Sequence, residues 1–131
     1  MIKMTLDSAK VTDRKFRWDA PCEKKVVFSL YIPQWRIPEP WPSEIFVTLD
    51  PMDTLPDGTP FLTESMVTHD PATRKQAITA LLQKKKDNVH SARYEPLGQR
   101  TEWELGEPYI PYSILPENVP NNLRIIVQWG T

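Results

Sequence analysis

The sequence predicts a single α+β domain spanning 1–131, with a mainly antiparallel sheet of about five or six strands packed on one principal helix at about 71–87. Three observations predict it. Short apolar runs alternate with a period of two, as strands with one wet face do. One stretch combines helical spacing with capping residues. No regular strand–helix–strand alternation runs along the chain, which excludes a doubly wound parallel sheet.

Taken in order, "KFRW" (15–18) is a weak strand candidate and "KVVFSLYI" (25–32) a strong one, with Val26, Phe28, Leu30 and Ile32 on one face. "EIFVTL" (44–49) places Ile45, Val47 and Leu49 together. "DPMDTLPDGTPF" (50–61) is turn-rich, and its Pro56-Asp57-Gly58 suits a link between short strands at 45–49 and 61–68. The helix follows: Asp70 is a good N-cap, Pro71 suits the first position, and Ile78, Leu81 and Leu82 form a short apolar stripe. Lys84, Lys85 and Lys86 fall in the last turn, where cations complement the helix dipole, and Asn88 suits the C-terminal cap. "SARYE" (91–95) is a second weak strand candidate; "TEWEL" (101–105) and "LRIIVQW" (123–129) alternate cleanly. The expected core is Val26, Phe28, Leu30, Ile45, Val47, Ile78, Leu81, Leu82, Trp103, Leu105, Ile125, Val127 and Trp129.

The chain has 14 prolines and 4 glycines, a balance that favours stiff connections over supple ones. They concentrate in "YIPQWRIPEPWPSE" (31–44), which has a faint echo: "YIPQWRIPE" (31–39) and "YIPYSILPE" (109–117) share Tyr-Ile-Pro, four residues, then Pro-Glu. At that spacing Ile45, Val47 and Leu49 fall on Leu123, Ile125 and Val127, whereas 22–30 and 100–108 do not match. A duplicated strand–loop–strand unit and a coincidence in a proline-rich chain both fit.

Composition is that of a folded protein, 40% apolar and 25% charged. Cys22 is the one cysteine, so no internal disulfide forms and a reducing compartment is the simple expectation. Neither a signal peptide nor a membrane-length apolar run is seen, so a cytoplasmic protein with no membrane partner is expected. Net charge is −1, unevenly spread: +3 over 1–25, −6 over 26–73, +5 over 74–100 and −3 over 101–131.

Chemistry-bearing patterns are sparse. Asp53, Asp57, Gly58 and Glu64 take positions 1, 5, 6 and 12 of a calcium loop, but Leu55 and Pro56 break it. His69 and His90 are too far apart for a zinc spacing, and Cys22 has lysines but no histidine nearby in sequence. No phosphate loop, nucleophile elbow or metalloprotease motif occurs, so neither catalytic residue, metal nor cofactor is assigned. The expected function is a non-catalytic module for a protein partner or a second copy, as in a homodimer. Its contact residues would be Trp35, Arg36, Trp41, Tyr109 and Tyr112 in and beside the two proline loops. Trp35 and Trp41 can equally fold back to cap the sheet. The alternatives are nucleic-acid binding through Arg74, Lys75, Lys84, Lys85, Lys86 and Arg93, and an enzyme whose site is not visible in sequence.

Overall fold

The alternating runs at 15–18, 44–49, 91–95 and 123–129 become strands, as do residues 27–32 of the run at 25–32 and most of the segment expected to be a helix. The computed structural model describes residues 2–11, 14–22, 26–52, 75–97 and 105–130. Among these, eight strands occur in chain order: β1 (Ile2–Val11), β2 (Lys15–Pro21), β3 (Val27–Pro33), β4 (Glu44–Met52), β5 (Ile78–Asp87), β6 (Ser91–Pro96), β7 (Tyr109–Pro111) and β8 (Asn122–Trp129). They close into an antiparallel barrel, β1-β2-β3-β7-β6-β5-β8-β4, with β4 returning to β1. Inward positions alternate with outward ones: Phe16, Trp18 and Ala20 on β2, Phe28, Leu30 and Ile32 on β3, Ile45, Val47 and Leu49 on β4, Leu123, Ile125 and Val127 on β8. An eight-stranded barrel is just wide enough for side chains to fill its interior. Here Leu6, Tyr94, Leu82 and Ile110 join that single apolar cluster.

The expected α+β class is therefore wrong: the protein is an all-β barrel, and the principal helix at 71–87 does not exist over its described part. Residues 78–87 are β5, and Asp70 and Pro71 lie outside the described residues. The error has a physical origin. Ile78 and Leu82 are four residues apart, a spacing that puts them on one side of a helix and equally on one side of a strand. Partners decide between the two. β5 is hydrogen-bonded to β8 from Ile78↔Val127 to Gln83↔Asn122, and to β6 from Leu82↔Pro96 to Asp87↔Ala92. These two ladders outweigh the helix preference of a lysine-rich run. Leu81 consequently faces outward and is half-buried. Val26 is likewise half-buried and precedes β3, Trp129 packs on the core from its edge, and Trp103 lies outside the described residues.

The echo between residues 31–39 and 109–117 extends to the whole barrel. Within each half, three successive strands pair and the fourth returns beside the first, in the orders β4-β1-β2-β3 and β8-β5-β6-β7. Each is a Greek key. The register irregularity of β1 on β2, between Ser8 and Lys10, recurs in β5 on β6 between Lys84 and Lys86. Trp18 pairs with Ser8 and Tyr94 with Lys84 at matching places. Both aromatics are fully buried, and each spends its polar tip on the same carbonyl of its own half. The Trp18 indole N–H donates to the Pro42 oxygen at 3.3 Å, and the Tyr94 hydroxyl to the Pro120 oxygen at 2.6 Å. Pro33 and Pro111 each open a 3₁₀ turn at nearly the same backbone angles, φ −59° with ψ 140° and 139°. The halves are thus related by a pseudo-twofold axis that passes through the Thr48↔Ile126 pair of the β4–β8 seam.

Burial, together with the charge of Asp87 and the neighbouring Tyr112, pushes the Tyr94 hydroxyl from 10.0 up to about 12. A folded pKa raised above the unfolded one means that this contribution to stability is complete below pH 10 and is lost between about 10 and 12. Tyr94→Phe should therefore lower urea-denaturation stability at pH 8 by about 1 kcal/mol, through the lost hydrogen bond. It should also flatten the decline in stability expected above pH 10 for the parent chain.

Candidate functional site

Neighbouring strands run antiparallel, so β3 and β7 end at opposite ends of the barrel. The loop 34–43 after β3 closes one end, and the loop 112–121 after β7 closes the other. The two proline loops therefore do not form one surface. Trp35, Arg36 and Trp41 share the first end, Tyr112 sits at the far end, and Tyr109 lies on the flank where β3 meets β7.

The first end is aromatic. The Trp41 ring stands edge-on against Phe16, with centroids 5.2 Å apart. Phe16 lies 4.4 Å from Trp18, and Trp18 lies 6.2 Å from Trp129. The Arg36 guanidinium sits 6.0 Å from the Trp129 ring centroid. It is 2% exposed, and its Nη2 donates to the backbone oxygens of Gln76 at 2.9 Å and Ala77 at 3.3 Å. The Trp129 indole N–H donates to the same Gln76 oxygen at 3.1 Å. Arg36 is thus a clamp, joining the loop to the chain that enters β5, rather than an exposed contact. Trp35 is half-buried in the 3₁₀ turn, and Trp41 is 39% exposed.

The pseudo-twofold axis supplies an internal control. The far end has the same backbone, yet Ser113 stands for Trp35, Ile114 for Arg36, Val119 for Trp41 and Pro51 for Trp129. Tyr112 packs against the core there and donates its hydroxyl to Asp87 at 3.2 Å. Burial and Asp87 both push that hydroxyl's pKa up.

On the flank, two contiguous hollows of about 430 and 320 Å³ form one groove along the β3–β7 seam, sharing Lys15, Gly106, Glu107 and Tyr109. Tyr31 and Tyr109 are symmetry counterparts on its walls, and Arg93 lies 5.6 Å from the centroid of the Tyr109 ring. Burial works to raise the Glu107 carboxyl, but hydrogen bonds and charge from Arg93 and Lys85 outweigh it and hold it below the usual range.

The residues considered for nucleic acid lie on the β5–β6 hairpin, not on a helix, and several face carboxylates. Lys84 pairs with Asp87 at 3.3 Å, Lys85 with Glu95 and Glu107 at 3.4 Å each, and Arg93 with Glu107. Lys75 and Lys86 are exposed, and Arg74 lies outside the described residues. Asp53, Asp57, Gly58, Glu64 and His69 also lie outside them. Cys22 is half-buried and donates its thiol to the Ala20 oxygen at 3.6 Å; His90 is exposed. Among the described residues no cluster of three or more His, Cys, Asp or Glu is placed to hold a metal, and no helix is long and apolar enough to cross a membrane.

Sequence reasoning missed the part played by Phe16, Trp18 and Trp129. Their pairwise approach depends on barrel closure, and no local spacing encodes it. The chain matches no known protein family model, no curated protein and no solved structure.

Arg36→Met should keep the bulk of the side chain but leave the Gln76 and Ala77 carbonyls without their charged donor. It should cost about 2 kcal/mol in urea denaturation, the size expected when a buried hydrogen bond to a charged group is lost.

Proposed function

We propose that the protein is a non-catalytic interaction module whose contact surface is the aromatic end of the barrel, with Trp41 as its exposed anchor. One observation carries this reading: two ends with a shared backbone differ in side-chain chemistry. Trp35, Arg36, Trp41 and Trp129 stand where the far end has Ser113, Ile114, Val119 and Pro51. The far end is closed without these indoles, and of them Trp41 is the one left exposed. Exposed tryptophan beside buried arginine is the composition of interface hot spots. The filled barrel interior leaves function to the surface. A protein partner, including a second copy, in the cytosol is the setting this reading assumes.

A photo-crosslinking residue placed at position 41 should capture a discrete adduct, in concentrated pure protein or in lysate of the source cells. The same residue at the equivalent position 119 should capture none. Equal labelling at both positions, or no adduct at 41, would overturn the reading. Trp41→Ala should leave the circular dichroism spectrum unchanged while weakening association at least about tenfold, as expected for a hot-spot truncation.

A further inference from the structure

We infer that the docking surface continues from Trp41 into the start of β4 as far as Phe46, and that its partner there is a protein segment bearing lysine or arginine. The inference rests on the interaction-module reading and names the chemistry of its partner.

The exposed aromatic surface does not stop at the barrel end. Phe46 points outward from β4 and is 40% exposed, as open as Trp41. Its equivalent in the other half is Arg124, which is ion-paired to Asp50 at 2.6 Å. Thr5 and Gln128 stand opposite Phe46 on the two neighbouring strands, so short or polar side chains surround the ring.

Carboxylates flank these rings. Asp7 lies opposite Glu44, and the equivalent pair in the other half is Gln83 opposite Asn122. Asp7 is exposed and Glu44 half-buried, both on the outer face, because Leu6 and Ile45 point inward. Like charges directly opposite each other on a sheet are destabilising. The other half holds the same register with two amides and without that repulsion. Asp7, Glu44 and Glu39, exposed two residues before Trp41, are in no ion pair among the described residues. Arg17 is engaged by Asp19 at 3.1 Å. Lys3 is exposed on the same face of β1, but it stands opposite Thr48, two outward positions from Asp7. Glu44 also has a fixed seat: a Cβ at Gly130 would come within 2.6 Å of its Cγ, so the glycine leaves its stem room. A side chain seated before binding loses less freedom on binding.

Charge selects the occupant. This surface repels phosphate backbones and anionic lipid. It attracts lysine and arginine, whose stems lie on apolar surface while the cation meets a carboxylate or an aromatic face. A second copy is a poor source. In its lysine run, Lys84 is engaged by Asp87, and Lys85 by Glu95 and Glu107, which leaves Lys86 alone. The partner is therefore a different protein with a cationic segment, and complementary charge sets its specificity and speeds its arrival.

The test is nuclear magnetic resonance on the full, isotopically labelled chain at low salt. The probes are two capped hexapeptides, one alternating lysine with leucine and one alternating glutamate with leucine. The lysine peptide should shift the backbone amide signals of residues 5–7 and 44–46 and of Glu39 and Trp41, and the glutamate peptide should leave them in place. Asp7→Asn with Glu44→Gln should weaken the lysine peptide at least about tenfold, with urea stability no lower than the parent's. Phe46→Ala should weaken it comparably with the circular dichroism spectrum unchanged. Asp7→Lys with Glu44→Lys should bind the glutamate peptide instead. Shifts that map elsewhere or do not occur, equal binding of both peptides, or affinity indifferent to the Asn/Gln variant overturn the cationic partner. So does an Asn/Gln variant that loses stability, because the carboxylates then serve the fold. In any of these cases an adduct still captured at position 41 leaves the interaction-module reading standing, and no adduct at 41 overturns both.

Discussion

The carbonyl oxygen of Pro42 accepts the indole N–H of Trp18, and the barrel is built around that contact and its counterpart, Tyr94 on Pro120. Each proline lies two residues before the strand that returns to close its half, β4 or β8. An indole or phenol buried in an apolar core needs a partner for its polar tip. The proline carbonyl meets that need only when the crossing loop lies over the barrel end. A single hydrogen bond of this kind contributes about 1 kcal/mol. Its larger effect is positional: it ties the long return connection to the middle of the core, so the fourth strand arrives beside the first and no edge is left open to pair elsewhere.

Using one Greek key twice gives the barrel two equivalent ends and two seams, and the seams have diverged. At β4–β8 the strands pair over the length of β4, with Arg124 and Asp50 bridging at 2.6 Å on the outside. At β3–β7 the ladder among the described residues shortens to the Ser29↔Tyr109 pair, with the Gly106 N–H donating to the Tyr31 oxygen at 2.8 Å beside it. The ends have diverged too. Both are closed by a 3₁₀ turn and prolines, so closure sets the backbone and leaves the side chains free to differ. The indoles gather at one end, where Trp18 and Trp129 pack into the fold and Trp41 stays exposed.

Much of this was legible in sequence. Strands β3, β4 and β8 announce themselves because half-buried strands must alternate, and Phe28, Leu30, Ile45, Val47, Ile125 and Val127 do so without interruption. The repeat was visible at 31–39 and 109–117 and invisible upstream for a concrete reason. The second half has two more residues between Tyr94 and Tyr109 than the first has between Trp18 and Tyr31, so a fixed spacing loses the match. β1 was legible but overlooked: Ile2, Met4 and Leu6 alternate with Lys3, Thr5 and Asp7 before Ser8 ends the pattern. β7 escaped notice because it is three residues long with a proline at its end. Among the expected contact residues, Trp41 is exposed, whereas Arg36 proved to be a buried clamp. Sequence shows that a residue is charged but not whether carbonyls surround it.

By itself the sequence determined the local alternation of the strong strands and the stiffness of the two proline loops. Tertiary structure alone decided that residues 78–87 extend rather than coil, because a run whose Ile78 and Leu82 satisfy both periods takes the conformation its neighbours can hydrogen-bond. It alone decided that the two similar loops stand at opposite ends, because antiparallel neighbours must finish at opposite ends of a closed sheet.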